Sequence, residues 1–295
     1  MAEHSVGFHE GELLVQSQAG VGAKAARLGG MLSAPDLRDG PGRFLADRNF
    51  AVLTARDLSG RLWISPVTGP PGFLEVADAT TLRLHALPAS GDPLGNLPPG
   101  QPAGLIAIDF AARRRARING TLSVVSETGL ELDVDQAFGN CPKYIRQRFL
   151  EHVPTSTQVH DESTLRTTSL EPHDTQLIRV ADTFFLGTTH ARRGSDVSHR
   201  GGPVGFVRTD GDALWWPDYP GNNLFNSLGN LAVDDTAALL FADFADGRTV
   251  HLSGSATLEW DAGDLAGDDG HTGRRVRFVP REIVAGHLLT VHVAR

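Results

Sequence analysis

Short apolar runs rich in β-forming residues alternate along the chain with clusters of glycine, proline and asparagine. Phe50–Thr54, Leu62–Val67, Gly72–Val76, Leu82–Ala86, Leu105–Phe110 and Arg117–Val125 form a first set of predicted strands. Phe184–Thr188, Asp196–Ser198, Gly205–Arg208, Ala213–Trp216, Ala238–Phe244 and Val250–Trp260 form a second. Turn clusters such as Asp57–Gly60, Pro88–Gly100, Gly201–Gly205 and Pro217–Asn223 separate them. Runs this short, with no helix-length segment between them, predict a sandwich or barrel. Helical signal lies outside the two sets. Glu12–Leu32 has helical composition, weakened by its glycines, and Leu37–Asp47 leads into the first set. Asp135–Phe149 reads as a helix with an acidic start and a basic last turn, or as one beginning at Pro142. Pro172–Val180 reads as a short helix entering the second set, and His152–Thr167 as a polar linker.

The two sets can be laid over each other. Ser65 matches Ser198 and Gly72-Phe73 matches Gly205-Phe206 at an offset of 133. Asn96-Leu97 matches Asn230-Leu231, Asp109-Phe110 matches Asp243-Phe244, and Gly120 matches Gly254 at an offset of 134. Five matches in order with one single-residue slip predict a repeated β domain. The expected organisation is a helical extension over 1–42, a first barrel with a C-terminal helix over 43–151, a linker over 152–170 and a second barrel over 171–295.

Composition narrows the function classes. With 35 acidic and 27 basic side chains the net charge is −8, which argues against a nucleic-acid binder. No apolar run approaches the length of a membrane span, and the N-terminus shows no secretory signal, so a soluble cytoplasmic protein is expected. A single cysteine, Cys141, excludes an internal disulfide framework. The histidines show no metal-ligand spacing, and no P-loop, GxGxxG or GxSxG motif is present.

The densest polar cluster lies in the second set: Ser198-His199-Arg200-Gly201-Gly202, then Gly221 through Asn230. A glycine pair after a strand lets backbone amides approach a flat ligand. A helix starting near Leu224 would offer free amides to a phosphate, with Arg200, Lys143, Arg146 or Arg115 as the cation. A flat ring plus a phosphate describes flavin mononucleotide (FMN) or pyridoxal phosphate. Turn chemistry is the competing account of Gly221–Asn223, because asparagine tolerates left-handed backbone angles. The basic run Arg113–Arg117 falls on a predicted hairpin, where a solvated tip competes with anion contact by Arg115 or Arg117.

These residues also carry a resemblance. Asp196 through Gly202, Gly205-Phe206-Val207, Pro217-Asp218-Tyr219 and Phe225 through Leu231 resemble the pyridoxamine 5'-phosphate oxidase-like, FMN-binding split-barrel family. Phe8 through Glu12, Asp92-Pro93, Arg114 through Gly120 and Asn140 through Ile145 resemble its predicted flavin-nucleotide-binding branch. The resemblance implies a mostly β (α+β) protein of two tandem six-stranded antiparallel Greek-key barrels forming a pseudo-dimer, with FMN between them. It implies a cofactor site of Ser198, His199, Arg200, Gly201, Asn223, Asn226, Ser227, Asn230, Arg115 and Lys143. Arg200 and His199 would tune the ring, and Asn226, Ser227, Arg115 and Lys143 would hold the phosphate. Trp215, Trp216 and Tyr219 would line or shield the pocket. The family's Ser-x-Lys phosphate motif falls on Phe225-Asn226-Ser227 and is not kept. Because the first repeat has Ser65-Pro66-Val67-Thr68-Gly69 in place of Ser198 through Gly202, one site per chain is expected.

The leading function is an FMN-dependent oxidoreductase acting on a small molecule. The competing ones are a flavin-binding electron relay for a separate reductase, a haem-binding split barrel using His199, His251 or His287, and a scaffold with no ligand. Association into a homodimer is left open.

Overall fold

In the computed structural model, residues 7–32, 36–38, 41–139, 142–152, 164–260 and 270–294 are described. Cys141, Asn140 and most of the predicted linker lie outside them. The first unit contains β1 (Phe50–Arg56), β2 (Leu62–Thr68), β3 (Leu74–Val76), β4 (Thr81–Leu84), β5 (Gln101–Asp109), β6 (Arg114–Val125) and β7 (Leu130–Gly139). Two short strands follow, β8 (Leu150–His152) and β9 (Leu165–Thr167). The second unit contains β10 (Thr183–His190), β11 (Gly194–Gly201), β12 (Arg208–Asp210), β13 (Ala213–Pro217), β14 (Thr236–Ala242), β15 (Arg248–Glu259) and β16 (Arg275–His287), and β17 (Val291–Val293) returns to pair with β8.

Both units are barrel-like antiparallel sheets with the same strand order. The first runs β2-β1-β5-β6-β7-β4-β3 and the second β11-β10-β14-β15-β16-β13-β12, with β9 added beside β16. Each main path has seven strands where six were expected. The registers repeat as well: Ser65 faces Leu53 as Ser198 faces Leu186, and Arg117 faces Ile106 as His251 faces Leu240.

β1 and β10 are buried along nearly their whole length because each face meets a different core. Ala51, Leu53 and Ala55 point into the first unit, and Phe184 and Leu186 into the second. The alternate residues Phe50, Val52 and Phe185 join Ile64, Ile106, Val197, Leu240 and Phe244 in a third core between the units. Strands apolar on both faces are the signature of a sheet covered on both sides. The covering is reciprocal, since β11 lies on β5 and β6 while β2 lies on β14 and β15.

The helices differ from expectation at two places. Glu12–Leu32 is not one helix but α1 (Glu10–Gln18), α2 (Gly22–Ala26) and a 3-10 turn at Gly29–Leu32. Gly20, at φ +66, ends the first of these by taking a left-handed conformation. His9 caps α1 through its ring, and Glu12 returns the bond to the His9 N–H, a reciprocal capping box. The predicted helix Asp135–Phe149 is not found among the described residues. Asp135–Gly139 completes β7, whose Leu130, Leu132 and Val134 are buried at every second position, and 142–149 is irregular. α3 (Pro41–Ala46) and α4 (Pro172–Val180) fall where helices were expected, α4 with its proline in the first turn. α5 (Asn226–Leu231) follows two left-handed residues, Asn223 and Phe225.

Candidate functional site

A cleft opens where β11 of the second unit meets β6 of the first. Its walls are the ends of those strands, the loop from Pro217 to Asn223, the start of α5, and the irregular segment at Lys143-Tyr144. Eight of the ten residues expected to form the site line it: Arg115, Lys143, His199, Arg200, Gly201, Asn223, Asn226 and Ser227. Ser198 and Asn230 do not. Ser198 is fully buried beneath the cleft and accepts Nε of Arg200 at 3.2 Å. Asn230 donates to Thr188 Oγ1 at 3.0 Å inside the second unit.

Cations come from both units, and the three arginines among them are each held by a named partner. Arg117 on β6 donates from one nitrogen to both oxygens of Asp196 on β11, at 3.0 and 3.2 Å. Asn119 and Ser227 donate to the same carboxylate at 3.3 and 2.8 Å. Arg200 approaches Asp218 at 3.6 Å, and Asp218 is also held by two nitrogens of Arg274 at 3.0 and 2.9 Å. Burial presses the Arg200 pKa down, and Asp218 opposes that.

His199, expected to tune the ring, is held as a neutral side chain. Arg115 donates to its Nδ1 at 2.7 Å. A guanidinium only donates, so Nδ1 is the acceptor and Nε2 carries the hydrogen. Burial, and then the charges of Arg115, Arg148 and Arg200, hold its pKa well below the usual value. Its ring lies edge-on to Phe110 and Phe185, with centroids 6.1 and 5.7 Å away. His199 is thus a neutral acceptor that orients Arg115.

The neutral donors assigned to phosphate are also committed elsewhere. Asn226 Nδ2 donates to Glu12 Oε1 at 2.5 Å, and the hydroxyl hydrogen of Ser227 goes to Asp196. The glycine pair serves the protein's own packing. A Cβ on Gly201 would sit 2.0 Å from the Tyr144 carbonyl oxygen, and one on Gly202 2.6 Å from the Phe206 ring. Tyr144 stacks on Tyr219 at 5.1 Å and 24°, which straps the 142–149 segment across the mouth. Trp216 lines the cleft, but Trp215 lies outside it between Arg208 and Arg275. Arg146 is drawn toward Asp182.

Sequence reasoning missed Glu12, Asp196 and Asp218 as supports of the site. Acidic residues behind a cation-lined cleft give no spacing signal. Of the histidines considered for haem, His251 is fully buried with both ring nitrogens hydrogen-bonded, and His287 lies at the exposed end of β16 near Asp246. His9, Glu10 and His190 converge near α1. Backbone N–H groups donate to Nδ1 of both histidines, so each Nε2 bears a hydrogen and has no lone pair for a metal.

Three buried side-chain donors lining the cleft lack a partner: Nε of Arg117, Nε2 of His199 and Nε1 of Trp216. Among the described residues, no buried carboxylate or amide oxygen in its lining is left in that state. A buried donor without a partner costs about 1–3 kcal/mol. The cleft therefore suits a ligand that is anionic and rich in hydrogen-bond acceptors.

Paired antiparallel split barrels with a cation-lined seam define the class of protein. Residues 170–269, most of the second unit, match the family described as Pyridoxamine 5'-phosphate oxidase. No curated protein matches the chain. Among solved structures, a putative pyridoxamine 5'-phosphate oxidase from Lactobacillus delbrueckii is 18% identical over 41% of this chain and 97% of its own, with a TM-score of 0.34. An FAD binding protein from Mycobacterium smegmatis is 16% identical over 43% of this chain and 100% of its own, at 0.30. An FAD-binding protein from Mesorhizobium loti is 10% identical over 41% and 96%, also at 0.30. No helix among the described residues is long and apolar enough to cross a membrane.

Proposed function

We propose that the cleft binds a flavin, FMN in particular, and that the chain is an oxidoreductase acting on a small molecule. The observation that carries this is the set of unpartnered donors at Arg117, His199 and Trp216 beside Arg115, Arg200 and Lys143. A flavin ring offers carbonyl and ring-nitrogen acceptors, and its phosphate needs cations. The match of residues 170–269 to the oxidase family points the same way. Bound flavin would supply hydride transfer, which the side chains here cannot.

The protein's own part is binding and electrostatics. Arg115, aimed by His199, and Arg200, braced by Ser198 and Asp218, put positive charge beside the ligand without themselves exchanging protons. The strap at Tyr144 keeps water from one side of the site. No group lining the cleft is arranged as an obligatory acid or base, consistent with chemistry left to the cofactor.

The test is an absorption spectrum of the purified protein, followed by titration of stripped protein with FMN, FAD and riboflavin. FMN should bind at least tenfold more tightly than riboflavin, because only FMN carries the phosphate. Equal affinity for both, or none for either, would refute the reading. Turnover with a nicotinamide donor alone supports the enzyme, whereas reduction only with an added reductase supports the relay.

A further inference from the structure

The N-terminal helix reaches the cleft from behind. α1 lies on α5 so closely that a Cβ on Gly11 would sit 2.0 Å from the Gly229 carbonyl oxygen. Nε2 of Gln16 donates to Leu224 O at 3.1 Å, so α1 grips the loop on both sides of Asn226. Between these contacts Glu12 is only 3% exposed. One of its oxygens accepts the His9 N–H at 2.8 Å, and the other accepts Nδ2 of Asn226 at 2.5 Å. A small polar cavity of about 20 Å³ lies beside Glu12, and Asn226 lines both this cavity and the cleft. Two buried polar atoms without partners line it too, Nε2 of His9 and Oδ1 of Asn119.

We infer that Glu12 is a positioning residue of the cleft, and that its protonation state selects which end of the Asn226 amide faces the ligand. An ionised Glu12 only accepts hydrogen bonds, so it holds the NH₂ group and turns Oδ1 the other way. A protonated Glu12 donates from Oε1 to Oδ1 of Asn226. The amide then turns over, and its NH₂ joins Arg117 and Trp216 as a donor in the cleft. The step takes up one proton, on Glu12. An anionic ligand therefore binds more tightly to the protonated form, and by linkage its binding draws a proton onto Glu12.

The surroundings make this titration accessible near neutrality. Burial is the main cause that lifts the Glu12 pKa, to about 7, with Asp196 adding to it and the His9 N–H and Arg193 opposing. α1 itself brings His9 and Glu10, β10 brings His190, and the turn into β11 brings Arg192 and Arg193. β11 brings Asp196, paired with Arg117 of β6. α5 brings no charged group, and Lys24 on α2 is exposed. Burial holds the His9 pKa down at about 4, so His9 stays neutral throughout.

The inference rests on the flavin reading only for the identity of the ligand, and the test separates the two. The side-chain amide signals of Asn226 are followed by NMR in ligand-free protein from pH 5.5 to 8.5, with Glu12→Gln as the control. They should shift with a midpoint near 7 in the wild type and stay put in the variant. FMN affinity is then measured over the same range. The titration of FMN's own phosphate is common to both proteins, so the wild type should weaken about tenfold more than Glu12→Gln as pH rises. Asn226 signals that do not titrate overturn the inference, and the wild type decides this alone if the variant fails to fold. Equal pH dependence of FMN affinity in the two proteins overturns it as well. Titrating Asn226 signals with no FMN binding in either protein uphold the switch and overturn the flavin.

Discussion

Replacing Arg117 with methionine should cost the protein about 3 kcal/mol of stability at pH 7. The Arg117 side chain is 11% exposed and that of Asp196 4%. At a contact near 3 Å and an effective dielectric of about 20, the Coulomb attraction is roughly 5 kcal/mol, most of it offset by taking both charges out of water. Removing one partner leaves the desolvation of the other uncompensated, which typically costs about 3–5 kcal/mol. Asn119 and Ser227 would still donate to Asp196, which favours the lower end. The pair joins β6 to β11, so the loss should appear in urea unfolding as a lowered midpoint with an unchanged slope. Arg117→Lys should recover part of it by keeping the charge. A loss below about 1 kcal/mol, the range of a solvated surface pair, would show that Asp196 is not a buried charge held by Arg117.

Other perturbations read other parts of the structure. Gly201→Ala places a methyl 2.0 Å from the Tyr144 carbonyl oxygen, so the strap must shift by about 1 Å. Such overpacking costs about 1–3 kcal/mol, and flavin release measured by fluorescence should accelerate; an unaltered rate would detach the strap from the site. Arg200→Ala should weaken FMN by about 1.5–3 kcal/mol in equilibrium titration while the fold survives, and unchanged affinity would remove Arg200 from the site. The raised Glu12 pKa contributes stability that is fully present below the ordinary carboxyl value and lost as pH rises through about 7. Glu12→Gln should therefore unfold with a flatter dependence on pH between 5 and 8 than the wild type, as followed by thermal melts. Calorimetric titration should give one flavin per chain; two would contradict the account of the opposite seam below.

The fold was legible where period and punctuation agree. Ser65, Gly72-Phe73, Asp109-Phe110 and Gly120 could be laid on their counterparts because strand ends and turns constrain residue type strongly. β7 and β16 were not recognised as strands. In β7 the alternation Leu-Glu-Leu-Asp-Val-Asp has the right period, but its acidic members suggest a helix start. In β16 arginines alternate with Val276 and Phe278 on a long strand interrupted by Pro280. At the cleft, Arg115, Arg200 and Lys143 could be found because cations near a glycine-rich strand end stand out. Their supports could not be found, because Glu12, Asp196 and Asp218 act through three-dimensional contacts between distant parts of the chain. Asn226 and Ser227 line the cleft as expected, but the Ser227 hydroxyl hydrogen and one Asn226 amide hydrogen are taken by Asp196 and Glu12, which no spacing could reveal. A side chain's free hydrogen depends on who else accepts it.

The opposite seam shows what the same topology becomes when its polarity changes. At the repeat offsets Arg115, Arg117, Arg200, Asn226 and Ser227 correspond to Thr249, His251, Val67, Asp92 and Pro93. All three arginines are gone there, and an acid stands in place of the amide. His251 donates from Nδ1 to Ile64 O at 2.8 Å, so its Nε2 is the acceptor for Thr249 Oγ1 at 2.9 Å. Asp92 accepts the Ser65 hydroxyl at 2.5 Å and the Leu94 N–H at 2.7 Å. Burial raises the Asp92 pKa and lowers that of His251, so both are driven toward their neutral forms. The side chains of Ser65, Asp92, Thr249 and His251 are all fully buried. Hydrogen bonds within the protein satisfy these side chains except for Oδ2 of Asp92. A dianion placed there would face the Asp92 carboxyl group and none of the three arginines that line the first cleft. The two seams share strand order and register and differ in charge, and that difference is the ground for predicting one flavin per chain.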